Sequence, residues 1–215
     1  MDLHPPLINK KNAKMVSKAI LSGWLSSSGE YVKHFEDKIK KITSAKYSLA
    51  TINGTSAIHL ALLASGLKKN EEVLIPSISF IATINPIIYC NAIPVFMDCD
   101  IDFNLDVKKT IDFLNNETYF KNKCTYNKKT KRKISLIMVV HTFGNTCDIR
   151  KLVKIAKKKN IMLIEDAAES LGSYFKYNNK IIHTGTLGMV GCISFNVNKI
   201  ITTGSGGMLI TNSKK

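Results

Sequence analysis

The sequence predicts an α/β fold, a mostly parallel sheet of seven strands with helices on both faces. Three observations carry that expectation. Seven short apolar runs recur along the chain, and helix-like segments stand between the first five; such βα alternation builds a parallel sheet covered by its own crossover helices. Gly, Pro, Asn or Asp flanks each helix-like segment. Composition is 45% apolar and 22% charged over 215 residues with a mean hydropathy of zero, which fits a single soluble globular domain.

Residues 1–46 read as an amino-terminal arm and helix, with Val32 to Ile42 amphipathic, and residues 47–215 as one large domain. The domain opens with a strand, Tyr47 to Ile52, and a small-residue helix, Ser56 to Ser65. A second strand, Glu72 to Ser77, leads to the helix Phe80 to Cys90, and a third, Pro94 to Asp98, to the helix Leu105 to Asn115. Glu117 to Lys133 is polar and lysine-rich without apolar periodicity, which predicts an exposed excursion. The strand Ile134 to His141, the helix Asp148 to Lys159 and the strand Ile161 to Glu165 come next. Gly191 to Phe195 and Gly207 to Asn212 are the last strands, and with no proper helix between them one is expected to run antiparallel.

Three short segments carry chemistry. Lys199 ends Ser194-Phe195-Asn196-Val197-Asn198-Lys199, directly ahead of the glycine-rich turn Thr202 to Gly207. Lysine is the charged side chain whose pKa shifts readily on partial burial, as a Schiff-base lysine requires. Asp166 stands at the carboxyl end of a strand, where open α/β sheets place ligands, and an aspartate there can hold a protonated pyridine nitrogen or simply cap the next helix. Asn53-Gly54-Thr55-Ser56 opens a helix after the first strand. Its glycine permits close backbone approach, its hydroxyls bond anions and the helix amino terminus favours negative charge. A phosphate seat, a pyridinium partner and an aldehyde-trapping lysine together specify pyridoxal 5′-phosphate.

At this point the chain resembles the DegT/DnrJ/StrS nucleotide-sugar aminotransferases of fold-type I, and within them the branch acting on UDP-linked 4-keto-6-deoxy amino sugars. The resemblance runs through Ser22-Gly23-Trp24-Leu25-Ser26, Phe35-Glu36, Asn53 to Ala57, Ile78 to Thr83, Pro94 to Asp98, His141 to Asn145 and Glu165 to Glu169, and ends at Lys199. It implies that Lys199 bonds the cofactor aldehyde and Asp166 its ring nitrogen. It also implies that Gly54, Thr55, Ser56 and Ser194 hold the phosphate, that Phe80 stacks on the ring, and that Glu169 lies near the cofactor hydroxyl. The reaction implied is transfer of an amino group from an amino acid, typically glutamate, to the keto carbon of a nucleotide-linked sugar, for cell-surface polysaccharide or sugar biosynthesis. A homodimer and a carboxy-terminal small domain beyond Lys215 are implied too; because that domain is absent, the alternatives to an active enzyme are a silent fragment or a non-enzymatic partner of a complete homologue. Met189 stands where the family usually has aspartate, and Val197 and Ser205 where glycine is common.

Net charge is +15, but the excess is spread along the chain and only Arg132 and Arg150 are arginines, so a nucleic-acid partner is not expected. No apolar stretch approaches the ~18 residues of a membrane helix, and Met1 to Pro6 lacks a signal pattern, which predicts a cytoplasmic protein with no membrane partner. Cys90, Cys99, Cys124, Cys147 and Cys192 lack zinc spacing, so no metal is expected and reduced thiols are, with Cys90 and Cys192 in apolar runs. His59 reads as a packed or capping residue, whereas His141, ending a strand on the ligand side, is a candidate to face the pocket.

Overall fold

In the computed structural model, which describes residues 5–23, 26 and 29–214, the chain forms eleven strands and six helices among those residues. Two helices come first, α1 (Lys10–Leu21) and α2 (Glu30–Thr43). They are followed by β1 (Tyr47–Thr51), α3 (Gly54–Ala64), β2 (Glu72–Pro76), α4 (Ile81–Tyr89), β3 (Ile93–Met97) and α5 (Val107–Asn116). A hairpin of β4 (Thr118–Lys121) and β5 (Cys124–Asn127) precedes β6 (Lys133–Val140), a 3-10 turn at Thr142–Gly144 and α6 (Arg150–Lys158). The chain continues through β7 (Met162–Asp166), a second hairpin of β8 (Tyr174–Tyr177) and β9 (Lys180–His183), β10 (Val190–Ser194) and β11 (Gly207–Thr211).

The main sheet runs β1-β11-β10-β7-β6-β2-β3. Its seven strands are those the apolar runs predict. Pairs β10/β7, β7/β6, β6/β2 and β2/β3 are parallel, and β11 lies antiparallel to both β10 and β1, as the missing helix between the last two runs led us to expect.

Neighbouring residues on a strand point to opposite faces, so an unbroken apolar run serves two cores. Val73 and Ile75 pack with Leu136, Met138, Cys192 and Leu209 under α3 and α4, through Ala57, Ile58, Ala61, Leu62 and Ile87. Leu74 points the other way, joining Ile137, Val139 and Leu163 beneath Leu114 of α5 and Leu152 and Ala156 of α6. On that second face α2 covers the far end of the sheet with Ile39, against Ile193, Phe195, Met208 and Ile210. Each buried aliphatic side chain contributes about 1.5–3 kcal/mol. Cys192 is buried in the first core and Cys90 packs at its edge, while all five cysteines are unpaired.

The expected exposed excursion at 117–133 is instead a hairpin whose second strand joins β6, extending the sheet to nine strands. Polarity hid it. Asn127 and Thr130 donate to the fully buried Glu72 carboxylate at 2.9 and 2.6 Å, and Tyr119 stacks on Tyr126 at 5.4 Å. The hairpin is therefore fastened by side-chain hydrogen bonds, which apolar periodicity does not register. The β8–β9 hairpin and the whole of α1, which buries no residue, also went unpredicted. Trp24 and Leu25, part of one resembling motif, and the amino-terminal residues 1–4 lie outside the described residues.

Candidate active site

The carboxyl ends of β2, β6, β7 and β10 and the loop after β1 open on one edge of the sheet, around a cavity of about 550 Å³. Each wall is the short segment leaving a strand. Asn53, Gly54 and Thr55 lead from β1 into α3; Ser79, Phe80 and Thr83 lead into and form the first turn of α4; His141 and Phe143 come after β6, Asp166 and Glu169 close β7, and Ser194 and Lys199 lie at and beyond the end of β10. These include every site residue expected from the sequence except Ser56. The Ser56 N–H is taken by the Asn53 side chain at 2.7 Å, the helix cap of α3, and Ser56 does not line the cavity.

Gly54 has a specific steric reason. A Cβ there would lie 2.8 Å from Ser194 Cβ and 3.1 Å from its Oγ, so only glycine lets the Ser194 hydroxyl close on the first turn of α3. The helix amino terminus and the Thr55 and Ser194 hydroxyls thus converge at one end of the cavity, a setting suited to a phosphate.

Asp166 lies on the cavity floor, 4% exposed. Its Oδ2 accepts from Thr83 Oγ1 at 2.7 Å and its Oδ1 from the Ala168 N–H at 3.1 Å. No helix follows it, so the capping alternative fails. Burial pushes its pKa up, against the Thr83 and Ala168 hydrogen bonds and the charge of Lys199. No ion pair to Asp166 is present among the described residues, and a desolvated carboxylate of this kind favours a cationic partner.

Lys199 is largely buried and gives its Nζ to Glu169 Oε1 at 2.8 Å, lying 5.9 Å from the centroid of the Phe80 ring. Glu169 Oε2 accepts the Phe143 N–H at 3.1 Å, and Phe143 itself takes φ of 53°. Phe80 is 73% exposed, an open aromatic face at the cavity rim. The Lys199 amine, the Asp166 carboxylate, the Phe80 ring and the Gly54–Ser194 contact at the start of α3 therefore share one cavity. These residues fit pyridoxal phosphate.

His141 reaches the cavity wall but is fully buried, its Nε2 2.9 Å from Glu165 Oε2 and its Nδ1 accepting from the Cys147 N–H at 3.2 Å. With Nδ1 accepting, Nε2 is the ring nitrogen that donates to Glu165. Glu165 also takes the N–H groups of Gly185, Leu187 and Gly188. Its burial works to raise the pKa, yet the His141 and backbone hydrogen bonds outweigh it and hold the group below the usual glutamate range. His59 is away from the cavity lining and packs edge-on against Tyr89 at 5.7 Å.

Where a carboxylate was expected, Met189 uses its main chain, donating to Leu163 O and accepting from Thr211 Oγ1, so the β10 pairing stays regular. Ser205 donates to Ile52 O at 2.8 Å and Val197 is half exposed. Sequence reasoning overlooked Thr83 as a site residue; a hydroxyl one helical turn beyond Phe80 was the available signal.

The sequence matches the DegT/DnrJ/EryC1/StrS aminotransferase family over residues 6–215. It is 38% identical over 212 residues to the GDP-perosamine synthase of Escherichia coli O157:H7, covering 99% of this chain and 53% of that protein. The GDP-perosamine synthase of Vibrio cholerae is 35% identical, with 98% of this chain and 52% of that protein covered. An aminotransferase structure from Psychrobacter cryohalolentis superposes with a TM-score of 0.83 at 29% identity, covering 98% of this chain and 49% of that one. The chain spans about half the length of the curated relatives it matches, and its fold corresponds to the large domain of the fold-type I aminotransferases.

Proposed function

This chain belongs to the DegT/DnrJ/EryC1/StrS aminotransferase family, and from that premise we propose that it moves an amino group from glutamate to the keto carbon of a nucleotide-linked 4-keto-6-deoxy sugar, using pyridoxal phosphate. One observation carries the reading: Lys199, Asp166 and the Gly54–Ser194 contact lie around a single cavity, in the roles that cofactor needs. When bound, the cofactor supplies an aldehyde that accepts amines and a protonated ring that draws electrons from an adjoining carbon.

The protein's part is binding and proton handling. Thr55 and Ser194 hold the phosphate at the α3 terminus, with Ser56 acting through the helix cap, and Phe80 covers one ring face. Asp166 keeps a proton on the ring nitrogen, because a buried carboxylate is stabilised by a cation beside it. Lys199, its Nζ aimed by Glu169, would bind the cofactor's aldehyde and would carry a proton to and from the substrate carbon. Two relatives carry GDP in their names, so a GDP-linked keto sugar is the first acceptor to offer, with a UDP-linked one beside it. The acting form is a homodimer.

A second reading rests on the exposed apolar side chains Ile52, Leu63, Ile88, Tyr89 and Phe96. In that reading the chain keeps the fold without catalysis and serves as a binding partner of another protein. One experiment separates the two. The chain is incubated with pyridoxal phosphate, reduced with borohydride and mapped by peptide mass spectrometry beside Lys199→Ala. Label concentrated on the Lys199 peptide and lost in the variant supports the enzyme; label spread equally over surface lysines in both proteins overturns it.

A further inference from the structure

We propose that Ser79 and Thr83 are positioning residues: a hydroxyl chain from the first turn of α4 that fixes the Asp166 carboxylate on the cofactor's ring nitrogen. This inference rests on the pyridoxal phosphate reading above. Ser79 Oγ donates to Thr83 Oγ1 at 2.7 Å, and Thr83 Oγ1 donates to Asp166 Oδ2 at 2.7 Å. A hydroxyl has one proton to give, so Thr83, donating to Asp166, can only accept from Ser79.

Burial gives the chain its weight. Thr83 is 1% exposed and Asp166 4%, so water has little access to the link, and a hydrogen bond to a carboxylate in such a place is among the stronger kinds. The Ala168 N–H fixes Oδ1, so Thr83 supplies the second point that sets the carboxylate plane. The same turn carries Phe80, whose carbonyl accepts the Thr83 N–H at 2.9 Å. One turn of α4 therefore sets both the aromatic face and the orientation of Asp166, and a shift of that turn moves the two together.

The test compares two ligands on the full 215-residue chain, pyridoxal phosphate and its analogue with the ring nitrogen replaced by carbon, each titrated by absorbance. Thr83→Val keeps shape and removes the donor. We expect it to weaken pyridoxal phosphate about tenfold or more while leaving the carbon analogue within about twofold of wild type. Thr83→Ser restores the affinity, and Ser79→Ala, which leaves Thr83 in place, shows a smaller loss of the same selectivity. Equal weakening for both ligands makes Thr83 a packing residue and overturns the proposal, as does no weakening at all. Should Thr83→Val fail to fold, Ser79→Ala and Thr83→Ser decide by the same comparison. If wild type binds neither ligand, the cofactor reading itself falls; if it binds pyridoxal phosphate without selectivity in any variant, only the hydroxyl chain falls.

Discussion

Replacing Glu165 with Gln tests the buried layer that supports the site. Oε2 accepts from His141 Nε2 and Gly185 N at 2.9 and 2.8 Å, and Oε1 accepts from Leu187 N and Gly188 N at 2.9 and 2.5 Å. Glutamine keeps one oxygen. Whichever way the amide is turned, its NH2 group confronts two donors. Nor does His141 relieve the conflict by moving its proton, because its Nδ1 already accepts from the Cys147 N–H. A buried donor without an acceptor costs about 1–3 kcal/mol, so two cost about 2–5 kcal/mol after partial relaxation. Glu165→Ala strands all four donors and opens a cavity, and should cost more. Against a total of about 5–15 kcal/mol for a domain, either loss is large. Urea unfolding of wild type and variant near neutral pH, followed by far-ultraviolet circular dichroism, reads it directly. An unchanged slope with a midpoint shift worth less than about 1 kcal/mol for Glu165→Gln would refute the reasoning.

Gly54→Ala puts a Cβ 2.8 Å from Ser194 Cβ, backed by buried strand and helix; we expect a loss of about 1–3 kcal/mol in thermal or urea stability and a weaker pyridoxal phosphate titration. Asn127→Ala removes one of two donors from the buried Glu72, loosening the β4–β5 hairpin for about 1–3 kcal/mol, visible as faster amide exchange over 118–127 by mass spectrometry. The neighbouring carboxylates make opposite pH contributions. Glu165, held below the ordinary glutamate value of 4.5, adds stability that is full above that value and is lost as pH falls through the lower native pKa. Asp166, raised above the ordinary aspartate value of 3.8, adds stability only while protonated, full below that value and lost as pH rises through the higher native pKa. Asp166→Asn should therefore flatten the decline in cofactor-free stability as pH rises above the ordinary aspartate value of 3.8, measured as urea midpoints across a pH series; a parallel offset from wild type at all pH values would contradict it.

The strands of the main sheet were legible because each is an unbroken apolar run serving two cores, as Val73, Leu74 and Ile75 do. Gly54, Asp166 and Lys199 were legible because a parallel sheet gathers the segments leaving its strands at one edge, so order along the chain becomes proximity. The hidden parts depend on pairings between distant residues. Thr83 and Asp166 are 83 positions apart, and Glu72 meets Thr130 across 58. No local pattern announces such bonds. The hairpin at 118–127 was missed for that reason, its buried positions being Thr118, Thr125 and Asn127 in place of aliphatic residues.

The antiparallel strand β11 lies between β1 and β10, with Tyr47 opposite Thr211 and Thr51 opposite Gly207. The first strand of the domain thus has no sheet neighbour until almost the whole of the described chain has left the ribosome. At about 5–20 residues per second, that leaves β1 waiting for many seconds during synthesis. Pairings so distant in sequence close slowly, since the entropy of the intervening loop is lost before any contact is gained. The Asn53–Gly54 turn follows β1, and β11 is the strand that joins β1 to β10, where Gly54 meets Ser194. The Gly54–Ser194 contact is then among the late ones to form within the described chain, and a nascent chain halted before residue 207 would carry Lys199 and Asp166 without the strand that joins β1 to β10.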